Sequence, residues 1–199
     1  IVFDFEVFRY EFLFVSLDLE TEQYTIIEND RNKMIEYYEQ HKQDTWIGYN
    51  CKNYDKYILQ AIIEGVNPKL INDYIIGGGN GWQLFKNRLD INLYDCMIMG
   101  KSLKQLESYF GVDIRETEIN FNINRPLTDK ERTSNIEYCK SDVYNTALVF
   151  MHNIGDFNAQ LGLIKLSHGS LSQLASTKAQ LSAKILEAKP LPVEMLRQR

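Results

Sequence analysis

Several residue types are scarce in this 199-residue chain, and each scarcity removes a class of function. Histidine occurs three times, at His41, His152 and His168, and cysteine three times, at Cys51, Cys96 and Cys139. None of the six has a partner at Cys-x-x-Cys, Cys/His or triad spacing. A zinc site and a histidine-activated nucleophile are therefore not expected. Isolated cysteines in odd number give no disulfide framework and fit reduced thiols in a cytosol. No apolar run approaches membrane-spanning length, and nothing resembles a signal peptide, so no membrane association is expected. Positive charge is also in deficit, with 22 Lys and Arg against 27 Asp and Glu and a formal net charge of −5. That balance argues against a domain that binds nucleic acid through overall charge. The glycine cluster Gly77-Gly78-Gly79-Asn80-Gly81 lacks dinucleotide-fingerprint spacing and a Gly-Lys-Ser/Thr, and reads as a flexible loop. Hydrophobic content of 44% and charged content of 25% are ordinary for one globular domain with a real core. The chain opens on Ile1 rather than Met, so the natural protein is expected to begin a few residues earlier.

What is present is an unusual placement of acid. Ile1-Val2-Phe3-Asp4-Phe5-Glu6-Val7-Phe8 is rich in aromatic and β-branched residues, as a buried strand is. Alternation puts Asp4 and Glu6 on one face. Two neighbouring carboxylates that lose hydration need a compensating cation, and the strand has no Lys or Arg. A divalent metal is the natural candidate; an exposed edge strand with its charges in water is the plainer reading. Downstream, Thr45-Trp46-Ile47-Gly48-Tyr49 reads as a second strand, and Asn50-Cys51-Lys52-Asn53-Tyr54-Asp55 leads into the helix-spaced Tyr57, Ile58, Ala61 and Ile62. Asp55 then stands at a helix N-terminus, where negative charge is favoured. Tyr138 and Asp142 lie four residues apart in a helical pattern and so share one face.

Taken in order, Asp4-x-Glu6, Asn50-xxx-Tyr54-Asp55 and Tyr138-xxx-Asp142 resemble the three motifs of the DEDD exonucleases, the superfamily of the proofreading 3′–5′ exonucleases. The tyrosine in the third motif resembles the DEDDy branch; the histidine branch would have His where this chain has Glu137. Ser102-Leu103-Lys104-Gln105-Leu106, preceded by Asp95, is similar to the element that contacts single-stranded DNA in exonuclease domains of family B polymerases. Asn124-Arg125-Pro126 through Glu131 is similar to protein-primed bacteriophage members. The chain departs from those members at Val7, where they carry Thr, and at Glu116, where they carry a catalytic Lys; Arg115 is adjacent.

The resemblance implies a ribonuclease H-like α/β fold: a mixed sheet of three antiparallel-compatible strands followed by parallel strands, flanked by helices. It implies an exonuclease domain over residues 1–152 and a helical extension over 153–199. It implies two divalent ions, Mg2+ or Mn2+, held by Asp4, Glu6, Asp55 and Asp142, with Tyr138 orienting the attacking water. With an ordinary phenol pKa of about 10, Tyr138 is a positioner rather than a base. Asn50, Tyr54, Ser102 and Leu103 would grip the terminal nucleotides, and Lys101 and Lys104 the phosphates. With Lys52 and Lys56 these lysines make a local basic rim that offsets the acidic total. The partner implied is a single-stranded DNA 3′ end, alongside a polymerase domain or other replication proteins, in a bacterial or phage-infected cytoplasm. An exoribonuclease of the same branch and a non-catalytic nucleic-acid-binding domain are the alternatives.

The pattern predicts strands over 1–8, 12–19, 23–28, 45–49 and 91–94. It predicts helices over 32–40, from Asp55, over 103–110 with Gly111 as the stop, and from about 129 to 151. Asn29-Asp30 would cap the first helix. Residues 116–124 read as a loop. In the tail, Leu174, Lys178, Leu181, Ile185 and Leu186 predict an amphipathic helix, ended by Pro190 and Pro192, that packs on the domain.

Overall fold

A computed structural model describes residues 1–111 and 119–189. Glu116 and Arg115, and with them the first part of the expected loop, lie outside the described residues. Five strands form one sheet: β1 (Val2–Val7), β2 (Phe12–Leu17), β3 (Tyr24–Glu28), β4 (Thr45–Gly48) and β5 (Asn92–Asp95). Their order is β3-β2-β1-β4-β5. The first three run antiparallel, while β1–β4 and β4–β5 are parallel. This is the mixed α/β sheet expected, with each strand within about two residues of its predicted bounds.

Seven helices flank the sheet among the described residues: α1 (Arg31–His41), α2 (Asp55–Glu64), α3 (Pro68–Ile76), α4 (Leu103–Phe110), α5 (Asp129–His152), α6 (Ile154–Leu166) and α7 (Lys178–Ile185). None is long and apolar enough to cross a membrane. Local chemistry explains the ends. Asp30 caps α1 by accepting from Lys33 N. Thr128 and Glu131 form a reciprocal capping box on α5, and Gly111 closes α4 in the left-handed conformation. Arg125 grips Glu131 through two nitrogens, each at 2.8 Å, which holds the Arg-Pro passage against the α5 N-terminus.

The tail differs from its predicted form. Leu171–Ala175 is a 3-10 turn, and α7 starts only after Thr177, whose hydroxyl accepts from Gln180 N. A Ser-Thr pair that prefers to cap interrupts the predicted continuous helix. The glycine cluster is also partly ordered: Gly77 caps α3, and Gly81 opens a 3-10 turn.

The sheet separates two apolar layers. Phe3, Phe5, Phe14, Trp46, Ile58, Leu59 and Ile62 fill the side under α1 and α2. Val2, Leu13, Val15, Ile47 and Tyr94 face α5, where Cys139, Val143 and Phe150 meet them. Ile164, Leu174 and Leu181 from the tail are buried in this second layer. The tail therefore packs on the sheet.

One close approach sets the position of the loop after β4. A Cβ added at Gly48 would lie 2.6 Å from Cys51 Cβ, and Cys51 is fully buried. The Gly48 backbone therefore abuts the Cys51 side chain at its Cβ, which is fixed to the main chain and cannot swing away as the end of a long side chain would. Gly48→Ala should destabilise the fold by about 1–3 kcal/mol, the usual range for overpacking. Thermal unfolding reads this directly; an unchanged Tm would show that the loop position is not set by this contact.

Candidate active site

Asp4 and Glu6 project from β1 on the α5 side, opposite Val15 and Leu13 of β2. Glu6 is buried and Asp4 keeps partial exposure. Strand alternation, with Phe3, Phe5 and Val7 filling the opposite layer, fixes this orientation. Asp55 begins α2 and is buried, and its Oδ1 has no hydrogen-bond partner. Asp142 descends from α5, also buried.

Burial raises the titration of all four carboxylates, and neighbouring acids add to it at Asp4, Glu6 and Asp55. Burial, first, and the Asp142 charge push Asp4 from 3.8 to about 7. Burial pushes Glu6 well above its ordinary value, reinforced by Asp4, Asp142 and Asp55. Asp55 moves the same way through burial and the Asp4 charge. Burial also raises Asp142, against the opposing pull of the Lys104 ammonium. Asp55 and Asp142 are near enough for their charges to act on Glu6, and Asp142 on Asp4.

Two side chains at this centre were not expected there. Cys139 is fully buried, and its Sγ donates to Asp4 Oδ2 at 3.6 Å. Burial and the neighbouring carboxylates hold it as a thiol. One ligand atom each from Asp4, Glu6 and Cys139 lie within 4.8 Å of one another, a spacing that could hold an ion. Its i, i+3 spacing to Asp142 was the available signal. Lys104, expected at the phosphates, lies inside the site: its Nζ is 3.0 Å from Asp142 Oδ1 and 4.7 Å from the centroid of the Tyr138 ring. Burial, first, and the charges of Asp142, Glu6 and Asp4 push the Tyr138 phenol far above the ordinary value.

The remaining predicted residues have structural partners. Asn50 takes a left-handed backbone (φ 60°), which Asn tolerates, and its Oδ1 accepts from Asn53. Asp95 ties down this loop, accepting from Asn50 N at 2.9 Å and Lys52 N at 3.1 Å. Tyr54 donates its hydroxyl to Asn72 Oδ1 at 2.6 Å and feels the charges of Asp55, Glu6 and Asp4. Ser102 caps α4, its hydroxyl accepting from Gln105 N at 3.3 Å. Leu103 packs against the α5-side layer. Lys101 is exposed, and its carbonyl accepts from Tyr49 Oη at 2.7 Å.

The donor set suits hard divalent cations: clustered carboxylate oxygens, one of them unsatisfied, with a single lysine to offset them locally. The cluster also predicts how stability responds to pH. In the unfolded chain these carboxyls ionise near pH 4. In the folded chain they keep their protons to higher pH, so between about pH 4 and 7 the native state binds more protons. Metal-free stability should therefore fall as pH rises through this window. The depressed carboxyls Asp18, Asp73 and Glu131 act in the opposite direction, but only below about pH 4.5. In EDTA, Tm should be lower at pH 8 than at pH 5.5, by about 2–4 °C for each kcal/mol lost. Added Mg2+ or Mn2+ should raise Tm more at pH 8. A Tm that is flat or rises with pH in EDTA would contradict the clustering.

No protein-family model matches the chain, and no curated protein matches it. Among solved structures it is similar to the family B DNA polymerase of the hyperthermophilic archaeon Pyrobaculum calidifontis, with a TM-score of 0.56 and 18% sequence identity. The match covers 94% of this chain and 28% of that one, so the chain spans less than a third of the polymerase. At this identity the likeness concerns fold: the α/β architecture is shared with part of a family B DNA polymerase.

Proposed function

We propose that this chain is a metal-dependent 3′–5′ exonuclease that removes nucleoside 5′-monophosphates from single-stranded DNA ends. The observation that supports the reading is the pairing of Asp4 and Glu6 on β1 at a spacing that could hold an ion, with Asp55 of α2 and Asp142 of α5 near enough for their charges to act on Glu6. A fold needs no such cluster, and without cations it is destabilising. Likeness in fold to a DNA polymerase supports DNA as the substrate class. It also supports a polymerase domain as the source of the 3′ end.

In the reaction, a water oxygen bonds to the terminal phosphorus as the bond to the 3′-oxygen of the penultimate nucleotide breaks, and a proton passes to that oxygen. Asp4, Glu6, Asp55 and Asp142 would hold two ions, Mg2+ or Mn2+, which when bound supply Lewis acidity at the phosphate and a more acidic water. The chain's own groups do the positioning. Cys139 donates to Asp4 and fixes that carboxylate against β1. Burial raises the Tyr138 phenol above its ordinary value, which suits a hydroxyl that would orient a water rather than take its proton. Tyr54, beside Asp55, and the exposed Lys101 would meet the strand end and its phosphates.

Asp4→Ala should abolish mononucleotide release from 3′-labelled single strands, with DNA binding retained, because it removes the acid central to the cluster. Tyr138→Phe should lose about 10²-fold, the scale of one positioned proton-handling group. Unpaired 3′ ends should be cut faster than blunt duplex ends. Equal degradation by Asp4→Ala and the parent would overturn the catalytic reading. A strong preference for RNA would redirect it to an exoribonuclease.

A further inference from the structure

Helix α4 buries a fifth acid that the hydrolysis does not use. Glu107 is 1% exposed. Its Oε1 accepts from Asn145 Nδ2 at 2.8 Å; its Oε2 has no hydrogen-bond partner and lies 3.7 Å from the Lys104 ammonium. Burying a carboxylate that leaves one oxygen unsatisfied is costly, so the arrangement calls for a reason.

The geometry supplies one. Lys104 and Glu107 are three residues apart on α4, and Asp142 and Asn145 three apart on α5, so each pair shares a helix face. The two faces are joined by two rungs, Lys104–Asp142 and Glu107–Asn145. A lysine ammonium on a four-carbon stem has many rotamers open to it, and this side chain is 31% exposed. Its ammonium meets Glu107, Asp142 and the Tyr138 ring, contacts that favour this placement over the others.

We propose that Glu107 and Lys104 are positioning residues for the Asp142–Tyr138 half of the site. Glu107 anchors the Lys104 ammonium, and the ammonium sets the Asp142 carboxylate and the Tyr138 ring in register for turnover. The proposal rests on the exonuclease reading above. It requires a split between metal binding and rate. Lys104 offsets negative charge at the cluster, so Lys104→Met should bind Mn2+ more tightly yet turn over more slowly. A merely structural lysine would weaken both together.

The test is a double-mutant cycle on the full chain. It combines steady-state rates on 3′-labelled single strands, Mn2+ calorimetry on metal-free protein, and circular dichroism to confirm folding. Lys104→Met should lower kcat by about 10²-fold, the cost of a small misplacement at a reacting centre. Glu107→Gln, which keeps the shape, should lower it about tenfold with KM for DNA little changed. The double variant should match Lys104→Met within about twofold, because Glu107 acts through the lysine. Lys104→Arg, which keeps the charge and stacks on an aromatic ring, should restore at least about tenfold of the Lys104→Met loss. Multiplicative losses, or Mn2+ affinity falling with activity in Lys104→Met, would overturn the relay. An inactive parent would instead defeat the exonuclease reading, and the Mn2+ titration would still decide whether Lys104 offsets the cluster.

Discussion

Mutual repulsion among four desolvated carboxylates is the constraint around which the rest of the molecule is arranged. Asp4 and Glu6 cannot turn away from each other, because β1 is buried on both faces and its other side chains fill the opposite layer. Asp55 is delivered to them by the N-terminus of α2, where the helix dipole favours a negative charge. Asp142 comes from a long helix braced along the same face of the sheet. The fold holds these groups near one another against their electrostatics, an arrangement that could receive a cation at Asp4 and Glu6.

Much of the surrounding structure serves to keep them there. Asp95 takes three backbone hydrogen bonds from the loop between β4 and α2 and from its own downstream turn. Gly48 lets that loop close onto Cys51. On the other side, α4 is fixed by its capping box at one end and by its rungs to α5 along its length. The residues read from the sequence as strand-gripping, Asn50 and Ser102, thus have measurable work inside the chain. Asn50 supplies a left-handed turn, and Ser102 a helix cap.

That Asp4 and Glu6 share a strand face and that Tyr138 and Asp142 lie on one helix was legible, because alternation on a strand and four-residue spacing on a helix are periodic signals. The α4 boundaries were legible too, from Ser102, Gln105 and Gly111. The Lys104–Asp142 contact was not legible, because the two residues lie 38 apart in sequence and only tertiary packing reveals a contact of that kind. The Cys139–Asp4 contact was hidden for the same reason. Helix α3 was passed over although Asn67-Pro68 is a cap followed by proline at the first turn, a readable start. Helix α6 gave little to read, because Ile154, Phe157, Leu161, Leu163 and Ile164 do not form a single apolar stripe. The tail was read as one helix because its apolar spacing runs through Ser176 and Thr177, whose capping preference decides the break.

The most direct test of the central claim is a crystal structure with Mn2+ and a single-stranded oligonucleotide whose terminal linkage resists hydrolysis. Anomalous scattering should locate manganese against Asp4, with Glu6, Asp55 and Asp142 around it and the terminal phosphate at the same place. Manganese absent from that cluster at saturating concentration, or a 3′ end bound elsewhere on the chain, would contradict the account.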